Sequence, residues 1–465
     1  MSDAKEVDFS LKVMIDKEKT KVLFAEVDSH FADILLSFLT LPLGRIMRIL
    51  EKHYGDEAPT IGSLNTLYHS LANLDDAHFW TDGAKQTFLN PASSFEAEYE
   101  RLKLDIADYQ PARYFVCTYC GHRFRSVSMY YDSIQSCKKC GHNSMHEAVA
   151  KKGPQAASRD GVFTIHTKSF IISDDLQILP NETGILGIFR ILGISDMDKA
   201  EPINVTFGFS EIMSLLKGCF ISQTPFSDLI LNKTRQANSV TVEPEAETSS
   251  LNQIENEHNP DSKKMILKVI IQKSTGKLLY AQAKEDFVDF LCSFLFIPLG
   301  GVEHLLGGKT PIKAINNLYQ STSDLVNDEY FKTPDMKNRL IKPNLIHGCT
   351  SKNNILPLAE ECLPVGYVSR FSCVNFPKGQ GSYLEGPRTY KVTDDLTVAP
   401  FCIVSIVSGL NKQKIPISDV KEEELQIGLK EGLGILKASL TSTTALTDAL
   451  LDQTSIKQLK QELLV

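Results

Sequence analysis

The sequence predicts an α+β fold present in two tandem copies, the first interrupted by a zinc ribbon. Three observations support this. Leu11 to Leu50 lies over Leu267 to Leu306 without a gap at an offset of 256, and 18 of the 40 positions are identical. Each copy opens with apolar runs on both sides of a charged turn, followed by apolar residues at helical spacing. In the first copy, Cys117, Cys120, Cys137 and Cys140 form two CxxC pairs, each running into Gly-His.

The opening of each copy reads as a β-hairpin, over Lys12 to Glu26 in the first and around Ser274-Thr275-Gly276 in the second. A helix follows in which Phe31, Ile34, Leu35, Phe38 and Leu39 share one face, with Asp28 or Ser29 as cap and Pro42 as terminator. The match resumes at Leu67-Tyr68 with Leu318-Tyr319, and at Ser173-Asp174-Asp175-Leu176 with Thr393-Asp394-Asp395-Leu396. Strand-like text precedes both acidic turns, over Phe163 to Ile172 and Tyr390 to Val392, and helical periodicity covers Ser210 to Phe220 and Lys430 to Leu440. Element order alone suggests a β-grasp-like core in each copy. The domain boundaries expected are 1–232 for the first repeat, with the ribbon at 113–150, a disordered linker at 233–264, and 265–465 for the second repeat. The linker holds no aromatic residue and few large aliphatic ones, too little apolar area to offset the entropy of ordering.

Four thiolates in two tight knuckles can close a tetrahedron around one structural Zn²⁺ per chain, with Cys117, Cys120, Cys137 and Cys140 as ligands. His122 and His142 then fall outside the ligand set. The second copy keeps a single cysteine in the corresponding stretch, Phe371-Ser-Cys373, so no second site is expected there. Ten cysteines in 465 residues, most of them scattered, fit a reducing compartment.

Composition narrows the function classes. A net charge of −8 repels phosphate, which disfavours whole-surface binding to nucleic acid or anionic lipid. The ribbon is a local exception, with seven basic against two acidic residues over 113–152 and aromatics such as Tyr114, Phe115, Tyr119 and Phe124. The Met1 to Asp8 start carries no secretory signature, and the most apolar stretch, Phe287 to Leu306, is interrupted by Asp289, Pro298, Glu303 and His304. A cytoplasmic protein with no membrane partner is expected, with the nucleus as the alternative.

Catalytic patterns are sparse. Asp174-Asp175 and Asp394-Asp395 read as turn chemistry rather than acid–base pairs. Gly307-Gly308-Lys309-Thr310 lacks the glycine a phosphate loop requires, since Glu303 stands there. Lys217 and Lys437 recur at one helical place and read as lysines with packed stems and solvated heads.

The doubled F-x-D-x-L-x-S-F-L-x-x-P-L-G block, the S/T-D-D-L turn and the ending that carries Leu216-Lys217, Ser222, Thr224 and Asp228, repeated as Leu436-Lys437, Ser442, Thr444 and Asp448, resemble a plant-specific family. That family is domain of unknown function 674, and the resemblance spans both halves. It implies tandem members with cysteine pairs in the first copy and implies no activity. The reading for function is a non-catalytic protein-interaction or regulatory module with a structural zinc site and protein partners. The alternatives are an enzyme with a site between the repeats and a ribbon that binds nucleic acid.

Overall fold

The computed structural model describes residues 7–18, 20–80, 84–108, 114–119, 125–128, 140–143, 145–148, 161–195, 200–231, 264–346, 348–361, 371–373 and 381–451. Of the expected linker, only Lys264 falls among them.

Alternation builds the first hairpin. Phe9, Leu11, Val13 and Ile15 of β1 (Phe9–Asp16) are buried, and β1 pairs antiparallel with β2 (Val22–Asp28). Asp28 caps α1 (Ser29–Phe38) by accepting the Phe31 N–H at 2.9 Å. The expected terminator does something else. The helix ends four residues before Pro42, which instead stands immediately ahead of α2 (Leu43–Tyr54), where a fixed φ and a missing N–H are tolerated.

The rest of the first half comprises α3 (Leu64–Asn73), α4 (Ala84–Leu89), α5 (Glu96–Tyr99), the ribbon strands β3 (Tyr114–Cys117), β4 (Arg125–Ser128) and β5 (Met145–Ala148), then β6 (Ser169–Ser173), β7 (Ile178–Pro180), α6 (Ile185–Ile191), β8 (Ala200–Phe207), α7 (Phe209–Ile221) and α8 (Pro225–Ile230). The second half repeats this plan. It runs β9 (Met265–Gln272), β10 (Leu278–Lys284), α9 (Glu285–Phe294), α10 (Leu299–Leu305), α11 (Lys313–Asp324), α12 (Asn327–Tyr330), α13 (Met336–Ile341), β11 (Phe371–Cys373), β12 (Thr389–Thr393), β13 (Val398–Pro400), α14 (Ile403–Lys412), β14 (Val420–Ile427), α15 (Leu429–Ser439) and α16 (Ala445–Leu450).

The architecture is α+β, with two five-stranded antiparallel sheets of equivalent order, β7-β6-β2-β1-β8 and β13-β12-β10-β9-β14. This corrects the β-grasp expectation. A β-grasp pairs its first and last strands in parallel, whereas β1 pairs β8 antiparallel along its whole length. The chain crosses the sheet from β7 to β8 through α6 and re-enters running the same way as β7, opposite to β1.

The two copies interlock about a local two-fold. Pro42 and Pro298 face each other in an antiparallel bridge, flanked by Leu43 N–H to Ile297 O at 3.0 Å, Gly44 N–H to Leu295 O at 2.9 Å, Leu299 N–H to Leu41 O at 3.1 Å and Gly300 N–H to Leu39 O at 2.7 Å. The glycines are required by proximity. A Cβ on Gly44 would sit 2.3 Å from Phe88 O, and one on Gly300 would sit 2.4 Å from Leu340 O.

Each half also sends a helix onto the other's sheet. Ser70 on α3 accepts the Val398 N–H of β13 at 3.0 Å, and Ser321, the equivalent residue on α11, accepts the Ile178 N–H of β7 at 3.1 Å. One level down, Thr66 donates to Asp395 O and Asn317 donates to Asp175 O. Backbone straps complete the exchange, Trp80 with Tyr383 and Glu385 with His78 on one side, Ile165 with Tyr330 and Lys332 with Phe163 on the other. A single hydrophobic core runs through both halves. The copies are therefore joined by far more than a tether.

The ribbon sheet, in order β11-β4-β3-β5, takes its last strand from the second half: β11 pairs parallel with β4, Phe371 opposite Arg125. The short cysteine-poor counterpart of the ribbon thus adds to the ribbon itself.

Candidate functional site

The acidic motif residues are brought into structural roles. Asp33, fully buried on α1, accepts backbone N–H groups from Phe163 at 3.1 Å and Thr164 at 2.8 Å, together with the Val162 N–H and the Thr164 hydroxyl. Burial pushes its carboxyl up to about 6 against the pull of those donors. Asp289, its equivalent on α9, accepts the Tyr383 N–H at 2.8 Å and the Asn353 amide at 3.1 Å, along with the Ser351 hydroxyl, and burial again raises it. Both carboxylates peg a distant loop to the first helix of their half.

The S/T-D-D-L turns work alike. Asp174 takes the N–H and hydroxyl of Ser227 at 2.7 Å each, and Asp394 takes those of Thr447 at 2.7 and 2.8 Å, docking α8 and α16. The Ser227 hydroxyl in turn accepts the Val22 N–H at 2.7 Å. Burial raises both carboxyls. Burial would also raise Asp175, but the Ser173 hydroxyl and Lys313, 3.0 Å away, outweigh it and hold it low. Leu176 and Leu396 take left-handed φ of 64° and 62° with buried side chains, a strained position that both copies retain. Turn chemistry is thus what the acidic pairs perform.

The other motifs fall similarly. Lys217 packs its ammonium 4.2 Å from the Tyr54 ring centroid and donates to Glu57 O at 2.9 Å, while Lys437 is exposed. Glu303, standing where a phosphate loop needs glycine, is fully buried.

Of the cysteines expected to bind metal, Cys120 and Cys137 lie outside the described residues, and Cys117 is described in its backbone only. What surrounds them is informative. β3 ends on Cys117 opposite Met145, which begins β5 just after the second knuckle. Tyr119 of the first knuckle stacks on His142 of the second, with ring centroids 4.6 Å apart and planes 5° from parallel. His142 Nδ1 lies 3.1 Å from Cys140 O, and its ring is exposed. The two knuckles are neighbours. No cluster of metal-ligating side chains is present among the described residues.

A feature without any polar motif occupies equivalent places in both halves. Helix α6 carries Ile185 and Leu186, 65% and 78% exposed, and α14 carries Ile403 and Val404, 67% and 78% exposed. Each helix is anchored by one buried isoleucine, Ile188 or Ile406, and α6 adds a Phe189 contact to Phe24 of β2 at 6.3 Å. Ile171 of β6 and Ile270 of β9 are buried yet outside the main core. Beside α6 lies a shallow groove of about 170 Å³ whose lining includes Lys21, Leu23, Asp175, Leu192 and Lys313. Sequence reasoning passed over these helices because apolar text in a globular chain reads as core. The repeated Ile-Leu and Ile-Val pairs just after β7 and β13 were the available signal.

No helix among the described residues is long and apolar enough to cross a membrane. Fold and site together define an internally duplicated α+β protein whose halves complete one another. The chain belongs to the family described as Protein of unknown function (DUF674), which matches residues 5–430 and 374–463. No curated protein and no solved structure matches it.

Proposed function

We propose that the chain is a non-catalytic protein-interaction module that presents α6 and α14 as paired docking surfaces, with one structural Zn²⁺ in its ribbon. The observation that carries this reading is the duplicated exposure of Leu186 and Val404 with their neighbours, on helices that each bury one isoleucine. Contiguous apolar surface of this kind on a folded protein marks contact with a partner. Net charge selects the partner class: at −8 the chain repels nucleic acid and anionic membrane, leaving proteins with an apolar groove that accepts a short helix.

The partner surface is tested with Leu186→Ser and Val404→Ser, singly and together, in extracts of the source cells with a photo-crosslinker placed at residue 185. Discrete cross-linked complexes that disappear in the double variant, with circular dichroism unchanged, support the reading. Complexes that persist overturn it. Sedimentation of the purified chain at rising concentration identifies the case in which the partner is a second copy.

Zinc is supported by the spacing of Cys117, Cys120, Cys137 and Cys140 and by the stacking that brings the knuckles side by side. Four thiolates would fill the tetrahedron, which makes the ion a staple for a small sheet rather than a reactive centre. Protein purified without chelator is expected to hold one zinc per chain. Content well below that, or unchanged on replacing Cys117 and Cys120 by serine, removes the ion from the proposal.

A further inference from the structure

Equivalent helices of the two halves differ at one buried position. Where α2 carries Met47, α10 carries Glu303, and neither is exposed to solvent. Glu303 Oε1 accepts the hydroxyl of Thr310, and Oε2 has no hydrogen-bond partner among the described residues. A buried carboxylate so placed is costly when ionised and tolerable when neutral.

Among the described residues no ion pair to Glu303 is formed, and burial and Thr310 are what act on its carboxyl. On α11, Tyr319 is pushed up to about 12 by burial and by the Glu303 charge. His304, next along α10, is lowered by burial and by Lys342 and so is neutral above neutral pH. On α13, Arg339 is engaged by Glu98 at 2.7 Å and Glu361 at 3.7 Å, and Lys337 donates to Leu325 O at 2.8 Å. Across the two-fold, Arg45 lies 3.8 Å from Glu96.

The segment that closes over the carboxylate leaves α10 through two glycines, with the Gly308 N–H bonded to Glu303 O at 2.7 Å. Gly307 and Gly308 sit at φ of 67° and 66°, and Gly308 O is clasped by Asn316 at 2.7 Å and Gln320 at 3.1 Å, both from α11. Thr310 is three residues ahead of α11, the helix whose Lys313, Asn317 and Ser321 grip the β6–β7 hairpin of the first half.

We infer that Glu303 is a proton-controlled latch on the joint between the halves: neutral, it keeps the 307–312 loop shut over α10, and ionised, it opens that loop and loosens α11 from the first sheet. Its counterpart α3 follows a helix with methionine at that position and has no such control. Burial lifts the Glu303 carboxyl from 4.5 to about 7, with Thr310 pulling the other way. A folded-state value raised above the unfolded one stabilises fully below about 4.5, and that stability is lost as pH rises through about 7. Between pH 6 and pH 8 the opening equilibrium should grow about tenfold.

The test is hydrogen exchange on the full chain at pH 6 and pH 8, corrected for the intrinsic pH dependence of amide exchange. Amides of 308–324 should open about tenfold more often at pH 8, while those of α3, 64–73, stay level. Glu303→Gln and Glu303→Met should each flatten the α11 response, and the methionine variant serves if the glutamine variant folds poorly. A level α11 in the wild type, or a response that survives in either variant, overturns the latch.

Discussion

The two halves use the same connections and differ in what they bury between them. Both peg a loop with an aspartate on their first helix, both dock a late helix through an S/T-D-D-L turn, and both lend a helix to the opposite sheet. The first half adds the ribbon and the buried Arg45, while the second has Gly301 in place of that arginine and Glu303 in place of methionine. Identity between copies therefore marks the scaffold. Difference marks the positions free to acquire separate duties.

Breaking the shared joint should have the largest effect. Gly44→Val and Gly300→Val each force a side chain into a backbone carbonyl of the same half, Phe88 O or Leu340 O, and crowd Leu295 or Leu39 of the other half, 3.1 Å away. A loss of ~4 kcal/mol or more in chemical denaturation is expected for either. Similar losses from the two would establish that the crossing is symmetric in energy as well as in shape.

Copying the difference from one half to the other comes next. Met47→Glu places an unpaired carboxyl in the first half's core and should cost ~3 kcal/mol at pH 8 and clearly less at pH 5, read from thermal unfolding across pH. An equal cost at both values would mean that the group reaches solvent.

Asp33→Asn and Asp289→Asn test the loop pegs. Each variant retains shape but replaces an acceptor with a donor facing N–H groups, at an expected ~1–3 kcal/mol, with Asp33 the more costly because three backbone donors converge on it. The aspartate at 33, raised to about 6, favours the folded state most at low pH, so its asparagine variant should lose relatively more stability at pH 5 than at pH 8.

The smallest effect is expected from severing the connection between the copies. A protease site inserted near residue 250 and cut should leave the halves co-eluting in gel filtration, because a common core and paired backbone bridges hold them. Separation on cutting would restore the picture of independent modules on a string.

Much of the scaffold was legible in the sequence. Apolar runs on both sides of a charged turn gave the β1–β2 hairpin, helical spacing gave α1, α7 and α15, and gapless self-alignment gave the repeat. Strand order was not legible, because pairing between β1 and β8 depends on a crossover nearly the whole length of the half away. The exchange of α3 and α11 was hidden for a related reason: a serine that accepts an N–H from another copy's strand looks like any surface serine. Pro42 was misread because proline both ends helices and precedes them, and only the partner copy's backbone decides which. Of the candidate sites, the cysteine spacing carries the zinc proposal, whereas α6 and α14 were silent because exposure leaves no mark in an apolar string.

The lending of helices between the copies carries an evolutionary cost. A chain shortened to either copy would leave a β-hairpin end without its serine acceptor and a crossing without its opposite number. A lone repeat would need a second copy of itself to supply those parts, so one gene here carries what would otherwise take a homodimer.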